Sequence, residues 1–215
     1  MNLRKFALFP LAILLSGCLA QVEYPIISTD QRIDLGDQII LTDQYPYPEL
    51  DSTSIRRVFD LSRLGNSREY RILEYSRENG QDTDTVKKTY GHFANLDGRF
   101  LVLERMPAPN TCQEPSDNRR ICEIIVLELT QDRKILQHTI ACSRTLIFAF
   151  SKIGVEAECA GINPLVKFKN IEVVSTPQLM CAFKLATENS TRSEIVGYWK
   201  EPIKLEMKDP CARFL

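Results

Sequence analysis

Two histidines are the first residues to consider for chemistry, because imidazole is the side chain best suited to act as a general base near neutral pH. The chain contains only His92 and His138. No serine lies in a Gly-x-Ser-x-Gly pattern that would present a nucleophile beside such a base. His92 follows Gly91 near the end of a predicted strand and His138 lies within another, so we interpret both as half-exposed sheet residues. We therefore nominate no catalytic residue.

Paired carboxylates could supply the acid and the base of a glycosidase, and two pairs have a suggestive spacing. They are Asp82 with Asp84 and Glu123 with Glu128. Such pairs arise by chance in a chain with 28 acidic residues, and the first lies in a polar hairpin loop, where charges are normally solvated. Cys-x-x-Cys and His-x-x-x-His spacings are absent, so we expect neither a metal site nor another cofactor.

The amino terminus carries the most specific signal in the chain. Arg4 and Lys5 precede an apolar run over residues 6–15, and the sequence Leu-Ser-Gly-Cys follows at 15–18. An apolar run of this length suits a secretion signal, because a membrane-spanning helix needs about twenty residues. Together these features resemble the signal peptide and lipobox of bacterial lipoproteins.

The resemblance implies a lipid anchor and a location. The signal, residues 1–17, would be removed, and Cys18 would carry a diacylglyceryl group and an acylated amino terminus. Several acyl chains make such an anchor stable. Leu19 in place of aspartate implies, again by resemblance, delivery to the outer membrane with the protein facing the periplasm. In a bacterial lipoprotein the glycosylation pattern Asn-Ser-Thr at 189–191 has no role.

The remaining cysteines predict a disulfide framework. Apart from Cys18 the chain has six: Cys112, Cys122, Cys142, Cys159, Cys181 and Cys211. An even number fits three bridges in an oxidising compartment such as the periplasm. Six cysteines allow 15 connectivities, and sequential pairing, which closes short loops, is our first expectation. That pairing joins Cys112 to Cys122, Cys142 to Cys159, and Cys181 to Cys211.

The charge distribution indicates which partners to expect. Acidic residues slightly outnumber basic ones, and the densest basic cluster, Arg119 with Arg120, lies beside Asp117 and Glu114. A nucleic-acid-binding protein would show a basic face or a known motif, so no nucleic acid is expected. The expected contacts are the membrane, through the lipid anchor, and another envelope protein.

The pattern of the mature chain predicts a mainly β fold of the α+β type, an antiparallel meander or partly closed barrel-like sheet with one C-terminal helix and stapling disulfides. Residues 18–34 are expected to be the lipidated cysteine and a tether, and 35–215 a single strand-rich globular domain. Residues 22–27 of the tether could instead donate an edge strand. The predicted strands cover 38–42, 69–76, 86–93, 100–105, 121–129, 135–141, 146–150, 155–159, 194–199 and 203–207.

Three further segments complete the prediction. Residues 54–64 fit a strand slightly better than a helix. The proline-rich stretch 107–121 is expected to be an exposed loop with a cysteine near each end. Thr176 as an N-cap, Pro177 at the first helical position and apolar residues at helical spacing predict a helix over 177–188.

These observations support three hypotheses of function. The leading one is a non-catalytic lipoprotein that binds another envelope protein as an accessory or an inhibitor. The second is a carrier or sensor of a small apolar ligand held between sheet and helix. The third is an envelope hydrolase in which His92 or His138 would be the base.

Overall fold

The computed structural model describes residues 20–22, 24–43, 56–78, 81–82, 87–113, 122–132, 134–139, 144–155, 157–160, 165–168, 175–188, 190–199, 203, 205 and 209–215. The strands in this part of the chain are β1 Ala20–Val22, β2 Arg32–Ile33, β3 Gln38–Asp43, β4 Arg56–Arg63, β5 Tyr70–Glu78, β6 Gln81–Asp82, β7 Lys87–Asn95, β8 Phe100–Met106, β9 Cys122–Leu129, β10 Lys134–Thr139, β11 Ala157–Ala160, β12 Leu165–Phe168 and β13 Thr191–Trp199. The helices are α1 Arg144–Lys152 and α2 Thr176–Thr187, with one 3-10 turn at Thr29–Gln31.

Eight of these strands close into an antiparallel barrel. Their order is β10-β13-β3-β4-β5-β7-β8-β9, and β9 pairs again with β10. Closure satisfies the backbone groups that an open sheet would leave at its edges. The predicted antiparallel, barrel-like sheet is confirmed, and residues 54–64 contribute strand β4, as the sequence favoured.

Each of two strands, β9 and β7, pairs along one edge with two different strands in succession. On β9, Ile124 pairs with β1, whereas Val126 pairs with β10. On β7, Gly91 pairs with β5, whereas Phe93 pairs with β2. Beyond β1 the sheet continues outside the barrel through β12, which is parallel to β1, and then through β11.

Alternate residues of β7, β8 and β9 face two different apolar cores. One core fills the barrel and includes Ile39, Leu61, Ile72, Phe93, Leu101, Leu127 and Ile195. The other lies between the outer face of β7, β8 and β9 and the two helices, and includes Val102, Met106, Val126, Phe150, Leu179 and Phe183. The second core explains why β8 and β9 read as nearly continuous apolar runs, since both faces of these strands are covered.

The prediction of a hairpin over 146–150 and 155–159 is wrong in its first half. This stretch begins with helix α1, in which Ala149 and Phe150 are buried and Ile147 and Phe148 are exposed. Burial of adjacent residues beside exposed ones follows helical periodicity and not the alternation of a strand. The predicted hairpin has Gly154 in its turn; in the structure Gly154 follows helix α1 and has a φ of 77°.

The end of the chain also differs from the prediction. Ile203 and Leu205, expected in a strand that pairs with 194–199, lie outside any strand and pack against the barrel core. Strand β13 is instead paired with β10 over residues 191–196 and with β3 over residues 195–199, and these two strands stand in place of the predicted hairpin partner.

The predicted C-terminal helix is confirmed as α2, with one difference at its start. Ser175, not Thr176, is the N-cap, and its side chain accepts a hydrogen bond from the Gln178 backbone in a capping box. The predicted helix stop, Asn189, lies outside the described residues.

The interval expected to be a tether belongs, over its described residues, to the folded body. Strand β1 pairs with β9, and Val22, Ile26 and Ile27 are buried in the core beneath the helices. A strand does form in this interval, but it covers Ala20–Val22 and not 22–27, and it is paired on both edges, with β9 and with β12. These apolar side chains are too few to give a helix or strand pattern in the sequence, but they are buried because a core lies beside them.

Two of the expected disulfides are present. Cys112 is bonded to Cys122 and joins the two ends of the proline-rich loop, and Cys181 of α2 is bonded to Cys211 of the C-terminal tail. Cys142 and the side chain of Cys159 lie outside the described residues, so their pairing stays a prediction.

Loss of the bond between Cys181 and Cys211 should cost more stability than loss of the bond between Cys112 and Cys122, because the sequence separations are 30 and 10 residues. The double variant Cys181→Ser with Cys211→Ser should lower the free energy of unfolding by about 3 to 4 kcal/mol, and the other pair by about 1 kcal/mol less. Urea unfolding followed by tryptophan fluorescence measures both. A larger loss for the shorter loop would contradict the prediction.

Candidate functional site

Both histidines are buried on the outer, helix-covered face of the barrel, and each contacts a glutamate. The exposed fraction is 0% for His92 and 3% for His138. The interpretation of both as half-exposed sheet residues is therefore wrong. The reason is visible in the alternation of the strands, because Glu104 lies on the same face as Val102 and Met106. A carboxylate on an apolar face needs a buried partner, and the histidines supply it.

The first pair, His92 and Glu104, fixes the amino-terminal segment to the barrel. His92 of β7 lies directly opposite Glu104 of β8, with 2.6 Å between His92 Nε2 and Glu104 Oε2. Glu104 also accepts hydrogen bonds from the backbone N–H of Ile26 at 2.7 Å and of Ile27 at 3.3 Å. The carbonyl of Ile26 accepts the hydroxyl proton of Thr176 at the start of α2. One carboxylate therefore joins the barrel, the amino-terminal segment and the helix.

The second pair connects the barrel to the end of helix α2. His138 Nε2 of β10 is 2.8 Å from Glu128 Oε2 of β9, and His138 Nδ1 contacts the hydroxyl of Ser190. The same hydroxyl is 2.9 Å from the carbonyl of Thr187 in the last turn of α2. The ring of His138 also lies edge-on to Phe100, with 5.4 Å between ring centroids.

The electrostatics of this pair decide where the protons lie. Burial lowers the pKa of His138 below its ordinary value, outweighing the hydrogen bond and charge of Glu128, and Arg192 acts in the same direction as burial. The imidazole is then neutral at pH 7, with its proton on Nε2 toward Glu128. Nδ1 can then accept the single proton of the Ser190 hydroxyl, in competition with the carbonyl of Thr187. Hydroxyl, imidazole and carboxylate in this order have the polarity of a serine-activating relay.

The same contacts also have a purely structural reading. When the Ser190 hydroxyl donates its proton to the carbonyl of Thr187 instead, it satisfies a helix carbonyl that would otherwise lack a donor, and its oxygen stays in contact with His138. On the other side of the pair, the guanidinium of Arg99 lies 3.3 Å from Glu128 and that of Arg192 lies 3.8 Å away. The relay thus holds the helix end against the barrel.

The interior of the barrel is filled. Its cavity has a volume of about 30 Å³ and is lined by apolar side chains with Arg105 and Gln137, which is room for about one water molecule. At this end Arg105 pairs with Glu123 and, at 3.2 Å, with Glu74, which also pairs with Arg57. These interior ion pairs link four strands across the barrel.

A larger cleft lies outside the barrel, between β2, the end of β7 and the start of α2. Its volume is about 630 Å³, within the usual range for ligand sites. The residues that line it are Asp30, Gln31, Arg32, Ile33, Asp34, Arg68, Ala94, Asn95, Leu96, Pro177, Met180 and Pro210. We refer to this group as the β2–α2 cleft.

The carboxylates considered in the sequence are not brought together. Asp82 pairs with Arg77 on the surface at 2.6 Å, and Asp84 lies outside the described residues. Glu123 and Glu128 point to opposite faces of β9, one toward Arg105 and the other toward His138. Within the part of the chain that the structure describes, no group of three or more His, Cys, Asp and Glu side chains is placed to hold a metal ion.

The lipidation residue is also beyond what the structure describes, since Cys18 precedes the first described residue. No helix among the described ranges is long and apolar enough to cross a membrane.

Sequence reasoning missed the partners of the histidines, Glu104 and Ser190, and the arginines of the cleft, Arg32 and Arg68. For Glu104 alone, strand alternation gave a usable signal.

Truncation of Glu104 should strongly destabilise the protein. Glu104→Ala leaves three buried donors without an acceptor and should lower the free energy of unfolding by about 3 to 5 kcal/mol. Glu104→Gln, which keeps an acceptor oxygen, should cost less. Glu188→Ala removes an exposed carboxylate and serves as the control. Urea unfolding measures all three, and equal stability of Glu104→Ala and the control would refute the anchoring role.

Burial of neutral His138 should make stability fall in mild acid. The unfolded chain takes up a proton near the ordinary value of 6.5 before the folded state does, so His138 destabilises the fold as pH falls from about 7 to about 5. His138→Gln should reduce this loss. Arg192→Gln, at an exposed arginine, should also reduce it by raising the pKa of His138. Urea unfolding across this pH range measures the slopes, and slopes unchanged in both variants would contradict the assignment.

Comparison with protein families, with curated proteins and with solved structures returns no match to this chain. The fold and the site described above are therefore the basis of the functional argument.

Proposed function

We propose that the protein is a lipid-anchored protein of the bacterial outer membrane that faces the periplasm and acts by binding another envelope protein. The lipobox at Cys18 supports the anchor, and the cysteine framework supports an oxidising compartment. Binding, not catalysis, is the proposed activity.

The β2–α2 cleft is the observation that carries this proposal. It has the volume of a recognition site, whereas the cavity in the barrel has room for about one water molecule. The cleft combines apolar side chains, among them Leu96 and Met180, with charged ones, among them Arg32 and Arg68. A mixed surface of this kind suits recognition of a polypeptide segment.

The walls of the cleft are fixed before any partner arrives. The amino-terminal side is held through Glu104, and the opposite side by the disulfide between α2 and the tail. A preformed site loses less conformational entropy on binding than a site that must order itself. This rigidity supports an accessory or inhibitor role, in which a fixed surface is presented to a partner.

The carrier hypothesis would use the same cleft, because it lies between sheet and helix and has apolar lining. The relay of Ser190, His138 and Glu128 is the observation that favours a hydrolase. Each alternative predicts a different outcome in the following experiment.

A photo-crosslinking amino acid placed at Asp30, an exposed residue of the cleft, should capture one envelope protein in intact cells. The same group at Arg71, exposed on β5 and outside the cleft lining, should not capture it. With Cys18→Ala the protein should leave the membrane fraction and the crosslink should disappear. Mass spectrometry of the crosslinked product identifies the partner.

Equal capture from Asp30 and Arg71, or capture unaffected by Cys18→Ala, would contradict the proposal. A small lipid-like compound released from the purified protein, with no protein captured, would favour the carrier. Ester hydrolysis that is lost in Ser190→Ala while the fold is retained would establish the hydrolase instead.

A further inference from the structure

The charges that line the β2–α2 cleft are equal in number but are not paired with one another. Two arginines, Arg32 and Arg68, and two aspartates, Asp30 and Asp34, line it. Asp34 is already committed, because it pairs with Arg63, which lies outside the lining, and accepts hydrogen bonds from Gly36 N–H and the Tyr70 hydroxyl. The carboxylate of Asp30 accepts a hydrogen bond from Ser28, so neither aspartate of the lining is paired with Arg32 or Arg68.

Neither guanidinium has a carboxylate partner among the described residues. Arg68 donates from Nη1 to the carbonyl of Arg32 at 2.6 Å, which holds its side chain against β2 and leaves its remaining N–H groups available. Arg32 Nε is buried and has no hydrogen-bond acceptor in the described part of the protein. A buried donor without an acceptor is costly and calls for a missing partner.

The shape of the cleft indicates an extended chain. Five consecutive residues, 30–34, line one side, and β7 is the one strand paired with β2 among the described residues. The other edge of β2 can thus accept the backbone of an added segment. Ala94, Leu96 and Met180 provide apolar lining, and Pro177 and Pro210 come from the helix and the tail.

We infer that the β2–α2 cleft binds an extended acidic segment of the partner protein. A carboxylate of that segment lies between Arg32 and Arg68, whose planar guanidinium groups suit paired hydrogen bonds to carboxylate oxygens. An apolar side chain of the segment, on the face opposite the carboxylate, packs on Leu96 and Met180. This inference rests on the proposed function and names the chemistry that the partner must present.

The test uses a synthetic nine-residue peptide of alternating glutamate and leucine, blocked at both ends and labelled with a fluorophore. The full mature lipoprotein in a non-ionic detergent should bind it, as measured by fluorescence polarisation. Arg68→Gln should weaken binding about tenfold or more, because truncating one partner of a charged hydrogen bond costs at least one tenfold step in affinity. Arg32→Gln should weaken it similarly.

Arg71→Gln removes an exposed arginine outside the cleft and should leave the affinity within about twofold. Arg68 is exposed as well, so its variant tests the inference even if Arg32→Gln fails to fold. A peptide with glutamine in place of glutamate should bind at least tenfold more weakly. Equal binding of the two peptides, or equal losses in Arg68→Gln and Arg71→Gln, would overturn the inference.

A second arm separates a peptide from a lipid surface. Phosphatidylglycerol added to the detergent micelles should not displace the acidic peptide; displacement that depends on Arg68 would overturn the inference in favour of an anionic lipid. If crosslinking from Asp30 captures a partner but the acidic peptide does not bind, this inference fails and the proposed function stands. If the peptide binds but no partner is captured, the proposed function fails.

Discussion

The buried carboxylate of Glu104 is the interaction on which the surrounding structure depends. It receives donors from His92 and from the backbone of Ile26 and Ile27, so one side chain holds two barrel strands and the amino-terminal segment in register. Because residues 30–34 follow directly, their position over the end of β7 is set by the same anchor. The position of this wall of the cleft therefore depends on a carboxylate that is buried against the sheet.

Closure of the barrel leaves its outer surface as the place for the proposed binding site. Eight strands bring their inward side chains close enough to fill the interior, and the ion pairs of Arg105 occupy part of what remains. The outer face of β7, β8 and β9 must then be covered by other elements. Both helices and the amino-terminal segment at Ile26 and Ile27 serve this purpose, and the β2–α2 cleft lies where that cover is incomplete. The arrangement suits a protein that works through its surface.

The sequence predicted the parts of the fold that local rules decide. Short runs rich in β-branched and aromatic residues, separated by turn signals, identified most barrel strands. Asparagine and glycine at 95–98 marked a chain reversal in which Gly98 has a φ of 83°. Helix α1 was missed because its isoleucine, leucine and phenylalanine residues are equally typical of strands, and only their burial separates the two. The contacts of the two histidines with their glutamates depend on the register between neighbouring strands. The cleft brings together Arg68 and Pro210, which are far apart in the sequence. Such long-range contacts leave no pattern in a single sequence.

The position of strand β1 sets how the protein would stand on its membrane. Ala20 is already paired with Ile124 and Val166, so the folded body begins two residues after Cys18. Two residues span at most about 7 Å in any conformation. With lipid on Cys18, as proposed, the body cannot reach into the periplasmic space on a stalk and instead rests against the head groups. Its partners would then meet it at the membrane surface.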